Sequence, residues 1–208
     1  MFGNTKGKNT EGLSIPALGP GIYSGYSLNK VELTQTTKQD GSQGKDILVF
    51  HFDGPQGPHQ YTEFDVDPTD AKAESKRDNM SVRITHIMTK FIPKDQADAI
   101  GGADFKSYAA NVVAALNPAI TSQVKTLEIK VLGNVYNGKA TSNFPGYPPF
   151  IAKVGAPDYK PLSFSDRERK ANQEYNNFLS ATPDNDASAS SPATSSTTAS
   201  GAPVDNDF

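Results

Sequence analysis

The sequence predicts a mainly β domain with helical insertions: five antiparallel strands forming a small barrel, then a C-terminal helix and a disordered tail. Three observations carry this expectation. Several short segments alternate apolar and polar residues with period two. Apolar residues at three- and four-residue spacing appear only after the third of these segments and again near residue 165. Large apolar side chains become scarce near residue 180.

The first strand is expected from about Leu28 to Thr36, with Val31 and Leu33 on one face and Lys30, Glu32 and Thr34 on the other. Asp40-Gly41 and Gly44 mark a turn. The second strand, Asp46 to Phe52, is apolar on both faces: Ile47 and Val49 against Leu48, Phe50 and Phe52. Either face can be core. Gly54-Pro55 and Gly57-Pro58 break it, and a third strand follows from about Gln60 to Val66. A helix is then expected, capped by Asp78 or Asn79, with Val82, Ile84, Ile87, Met88 and Phe91 as its apolar side and Pro93 as its end. A second helix runs from about Asp104 to Leu116, burying Phe105, Tyr108, Val112, Val113 and Leu116, until Asn117-Pro118 stops it. The fourth strand alternates Leu127, Ile129, Val131 and Val135 with Glu128, Lys130, Asn134 and Tyr136. A loop, Asn137 to Pro149, leads to a fifth strand at about Phe150 to Val154. The last helix spans about Ser165 to Phe178, where Ser165 and Glu168 have the spacing of a capping box. Five antiparallel strands with a helical element after the third is the order of an OB-fold barrel. A β-sandwich or another small α+β fold would give a similar order.

Composition divides the 208 residues into a flexible arm (1–20), one domain (21–179) and a disordered linker with an acidic tip (180–208). There is no cysteine, which excludes a disulfide framework and cysteine-ligated zinc. No apolar run reaches the roughly 18 residues that a membrane span needs. The polar N-terminus does not read as a signal peptide, so a cytoplasmic location is expected. The net charge of −3 would argue against nucleic-acid binding. Its distribution removes that objection. Asp184, Asp186, Asp205 and Asp207 all lie beyond residue 180, where there is no Lys or Arg; without them, 20 basic residues face 19 acidic ones.

The tail is built almost wholly from Ser, Ala, Thr, Pro, Asn, Asp and Gly, and ends Asp205-Asn206-Asp207-Phe208. A terminal Phe offers a ring for an apolar pocket and a carboxylate for a cation, while the aspartates suit a basic rim. The plain alternative is a solubility tail. This layout resembles the single-stranded-DNA-binding proteins of bacteria and of many tailed bacteriophages, which join an OB-fold to a disordered linker and an acidic tip ending in Phe. Asp205, Asp207 and Phe208 match that pattern. Asn206 interrupts the acids and the Ile-Pro pair of the bacterial tip is absent, so the tip looks more like the bacteriophage versions. The stretches 124–136 and 144–151 also resemble phage-encoded members. The resemblance implies non-specific binding and protection of single-stranded DNA in replication, recombination or repair, in host cytoplasm if phage-encoded. It further implies that Asp205, Asp207 and Phe208 recruit a polymerase, primase, helicase or nuclease, and compete with DNA for a basic groove. No cofactor is implied.

Non-specific binding of a single strand needs cations for phosphates and aromatic rings for bases. The fourth strand offers Lys130, Asn134 and Tyr136 on its polar face, and the loop after it adds Lys139, Phe144 and Tyr147. Phe144 and Phe150 can equally plug the barrel end. Lys30 on the first strand and Phe50 and Phe52 on the second complete the candidate DNA-binding set. Arg83, Lys90 and His51 read as structural or solvated. His51, His59 and His86 lack metal spacing, and no catalytic motif is present, so an enzyme is not expected. Asp65 and Asp67 would need a third ligand to hold a metal. A virion or assembly protein without nucleic-acid binding is the alternative reading.

Overall fold

A computed structural model describes residues 18–38, 40–120 and 126–181. The proposed tip, Asp205, Asp207 and Phe208, and most of the arm lie outside the described residues. Leu18, assigned to the arm from sequence, is buried in the core.

The described residues form a mainly antiparallel open sheet with six strands and four helices. The strands are β1 (Gly21–Thr37), β2 (Gln43–Asp53), β3 (His59–Phe64), β4 (Leu127–Tyr136), β5 (Lys139–Asn143) and β6 (Ile151–Lys153). The helices are α1 (Ala73–Met88), α2 (Lys94–Ala99), α3 (Phe105–Ile120) and α4 (Asp166–Ala181). The pairing order is β3-β2-β1-β4-β5, with β6 also on β4. No ladder among the described residues joins β3 to β5 or β6, so closure into a barrel is not seen.

β1 is longer than its alternation predicts because it serves two neighbours. Gly21–Tyr26 pair with β4, and Ser27–Thr37 pair with β2. Gly25, at φ +81°, permits the irregularity in the β4-paired half between Ser24 and Tyr26, a backbone state that side chains with a Cβ resist. Where β1 leaves β4, its edge is not left open. The Asn117 side-chain amide donates to the Val31 carbonyl at 3.0 Å and accepts from the Val31 N–H at 3.0 Å. A helix residue thus replaces the missing strand.

The core is continuous between sheet and helices. It includes Tyr26, Leu28, Leu48, Phe50 and Phe52 from the strands, and Ile84, Ile87, Met88, Val112 and Leu116 from the helices. Its face on β2 is therefore the one bearing Leu48, Phe50 and Phe52. Several expected boundaries move. α1 begins at Ala73, and Asp78 and Asn79 lie inside it rather than capping it. Its first turns are exposed and polar, so no apolar period announces them. α2 was not foreseen; Pro93 precedes it as the N-cap residue. α3 continues through Pro118 to Ile120, which the core buries.

The largest departure is on β4. Glu128 and Lys130 were expected on a solvent face, but both are buried. Chain leading into α4 and α4 itself cover them. Glu128 accepts the Leu162 N–H at 2.7 Å. Lys130, 3% exposed, pairs with Glu168 at 2.9 Å and donates to the Ser163 carbonyl at 3.1 Å. Glu168 is also the capping residue foreseen from sequence: it accepts from the Ser165 N–H at 2.8 Å, and its own N–H donates to Ser165 Oγ at 3.3 Å. Burial pushes the Glu168 carboxyl up, but hydrogen bonds from Ser165 and Lys130 outweigh it and hold the group below the usual range. α4 comes so close to β4 that a Cβ on Gly133 would lie 2.5 Å from Tyr175.

Candidate functional site

The expected loop after β4 is in part a hairpin. Asn137 (φ 49°) and Gly138 (φ 69°) make a two-residue turn with both residues left-handed, which matches the right-handed twist of paired strands. The turn pairs Tyr136 with Lys139, Asn134 with Thr141 and Leu132 with Asn143. Directly paired residues share a face. One face of the hairpin therefore carries Asn134, Tyr136, Lys139, Thr141 and Asn143, all exposed.

Asn134, Thr141 and Asn143 on that face floor a groove of about 600 Å³, and Tyr136 and Lys139 continue the face beyond it towards the turn. One wall is the segment Phe144–Tyr147; the other is the start of α4, with Ser165, Arg167 and Ala171. Tyr136 is 69% exposed and Tyr147 is 65% exposed. These are the large rings that the described surface offers here. Lys139, Arg167 and Lys170 are exposed and form no ion pair with other described residues. Arg169, beside them, is instead held by Asp166 and the Phe164 carbonyl. Arg167 was missed from sequence because a charged helix carries no mark of which cation meets a groove.

The remaining candidates are placed elsewhere. Phe50 and Phe52 are fully buried, so neither presents a ring face to a base. Phe144 is buried as well, stacked 5.0 Å from Tyr61 and 5.1 Å from Phe150. It packs into the core. Lys130 is occupied by its buried pair with Glu168. Lys30 is exposed but lies across from His51 on the β1–β2 half of the sheet, paired with Glu32, and does not line the groove. Arg83, read as solvated, forms a two-pronged pair with buried Glu63 at 2.6 and 2.8 Å. Asn134 and Tyr147 are thus the sequence candidates that line the groove, and Tyr136 and Lys139 lie on the same hairpin face as Asn134, nearer the turn.

A second, smaller cleft of about 240 Å³ lies at the far end of the 144–150 segment, where Pro149 and Ile151 meet Lys90, Lys153, Lys160 and Tyr159. None of the three lysines has an ion pair among the described residues. No family model, curated protein or solved structure matches the chain. The site is therefore read from its own geometry. No group of His, Asp or Glu residues able to hold a metal occurs among the described residues. No described helix is long and apolar enough to cross a membrane.

A buried histidine, His59, and a half-buried one, His86, flank the aromatic segment behind the groove. His86 Nε2 accepts from the Phe150 and Ile151 N–H groups, each at 3.4 Å. Burial, with the Lys90 charge second, pushes its pKa down to about 4. His59 lies 5.0 Å from the Phe144 ring, and burial lowers it to about 4 as well. Both are neutral in the folded chain, whereas an unfolded histidine takes up a proton near pH 6.5. Acidification from about pH 6.5 towards 4 therefore favours the unfolded state, by up to about 1.4 kcal/mol per pH unit for each histidine. Urea unfolding followed across this range is expected to show falling stability, with a shallower slope for His59→Phe. An unchanged slope in that variant would show that His59 is not the neutral buried group described.

Proposed function

We propose that this protein binds single-stranded DNA without sequence preference, and that the hairpin groove is where it does so. The observation that carries the reading is a groove lined by exposed Tyr147 and Arg167 and continued along the hairpin face by exposed Tyr136 and Lys139, where Lys139 and Arg167 form no ion pair among the described residues. Rings of this kind stack on any base, while the cations neutralise phosphates. Asn134, Thr141 and Asn143 supply hydrogen bonds on the floor between them. The lysine cleft at the other end of the 144–150 segment extends the path, so that a strand crosses the segment from one cationic concavity to the other. The architecture supports the same reading. A long first strand shared by two halves of the sheet, a helical insertion between β3 and β4, and aromatic side chains filling the gap between β3 and β6 are what an OB-type barrel would use.

In this reading the acidic tail recruits a replication, recombination or repair protein through Asp205, Asp207 and Phe208, and competes with DNA for the cationic groove. The chain would act in the cytoplasm, host cytoplasm if phage-encoded, and without catalysis or cofactor. The binding mode is tested by competition. Labelled oligo-dT bound to the protein should be displaced by unlabelled mixed-sequence single strand and not by the corresponding duplex. Equal displacement by duplex would overturn the single-strand reading. Deleting residues 200–208 is expected to raise affinity for oligo-dT at low salt and to abolish partner contact. If neither changes, the tail is only a solubiliser.

A further inference from the structure

Among the described residues, β3 forms an edge of the sheet with no strand on its outer side. Asp65 N–H donates to the Asp46 carbonyl, which sets the phase of the β2–β3 ladder. Counting along the register from that pair, Leu48–Glu63, Phe50–Tyr61 and Phe52–His59 exchange hydrogen bonds. The backbone N–H and C=O groups of Gln60, Thr62 and Phe64 therefore point away from β2. The same phase makes Val31 on β1 point away from β2, where Asn117 meets it. No such partner meets Gln60, Thr62 or Phe64 among the described residues.

Exposed edges are normally blunted by charge, proline or cover. β5 and β6 follow this rule: each is short and carries a lysine, Lys139 or Lys153. β3 does not. Its outward side chains, Gln60, Thr62 and Phe64, are uncharged, and Phe64 is 53% exposed. Val82 on neighbouring α1, one turn on from the Asn79 that shares a hollow with Phe64, is 51% exposed. We infer that β3 pairs with β3 of a second copy of this chain, antiparallel across a two-fold axis at Thr62.

The edge itself selects this occupant. An antiparallel edge is its own complement under a two-fold axis, so each outward donor meets an acceptor of the partner. In that register Thr62 faces Thr62 and Phe64 faces Gln60. No like charges are opposed, which would be destabilising directly across a ladder. The two sheets would then continue as one, and the exposed Phe64 and Val82 would lose water contact. This pairing is independent of DNA binding.

Sedimentation equilibrium of the full chain tests it. Wild type is expected to be a dimer at micromolar concentration. Thr62→Lys and Thr62→Glu, each placing a charge opposite its own copy, are each expected to be monomeric with unchanged circular dichroism. Mixing the two variants in equal amounts is expected to restore a dimer, because opposite charges then face each other. A monomeric wild type would overturn the inference. So would a dimer that persists in both single variants, or a mixture that stays monomeric.

Discussion

Replacing the exposed tyrosines of the groove and the adjoining hairpin face, Tyr147→Ala with Tyr136→Ala, is expected to weaken oligo-dT binding far more than it changes stability. Both rings are largely exposed, at 65% and 69%, and neither belongs to the core cluster. Truncating them removes little buried apolar area, so the unfolding midpoint should move by only a degree or two. Base stacking on an aromatic side chain contributes roughly 1–3 kcal/mol by alanine substitution, so each ring should account for roughly 5- to 150-fold in affinity. The double variant should lose the two contributions nearly additively if each ring holds a different base. Replacement by Phe should retain most of the affinity, since the stacking face is unchanged. Anisotropy of a labelled oligo-dT reads both numbers. Phe50→Ala supplies the contrast: it is expected to lower stability by about 3–5 kcal/mol through a core cavity, with no direct part in binding.

The second large effect falls on the Lys130–Glu168 pair. Lys130→Met leaves a methionine of similar length against the Phe164 ring, but strands the Glu168 carboxylate without its cation. Removing one member of a buried pair is strongly destabilising, because the other remains desolvated. Glu168 keeps its two Ser165 contacts and is partly exposed, so the loss should be near the low end, about 3 kcal/mol. For a chain of this size that corresponds to a fall in Tm of roughly 6–12 °C. Lys130→Met combined with Glu168→Met should recover much of the loss, since two apolar side chains need no ionic partner. Calorimetry of the single and double variants decides this. Because α4 lines the groove, the single variant should also weaken DNA binding, whereas Lys30→Met, at an exposed pair, should do neither.

How much of this was legible in the sequence differs from element to element. β4 was read to its ends because one of its faces alternates cleanly, from Leu127 to Val135. The same alternation misled on the other face. Glu128 and Lys130 read as solvent-facing because charge usually is, and nothing local shows that residues more than thirty positions later will cover them. Glu168 was recognised from its spacing to Ser165, a local relation. Its pairing with Lys130 is long-range and leaves no trace in spacing. β5 was missed although its signal was present, for Asn137-Gly138 between β-prone segments marks a tight hairpin. The Phe144–Phe150 segment was left open between core plug and ligand contact, and the buried rings resolve it: Phe144 and Phe150 are plug, while Tyr147 stays outside. Tyrosine's polar tip is the physical reason it tolerates that exposed position. Arg167 had no local signature at all.

The claim on which the rest depends is that cations and rings of one surface hold a single strand. It is tested most directly by titrating labelled oligo-dT with the full chain across a range of salt. Each neutralised phosphate should contribute about −0.7 to the slope of log affinity against log salt, so three to six contacts predict a slope of about −2 to −4. Arg167→Ala should reduce that slope by one such step without introducing a sequence preference. Tight binding at low salt that falls in this way is the expected result. Absence of binding at the lowest salt, or a slope indistinguishable from zero, would contradict it and leave the groove without its ligand.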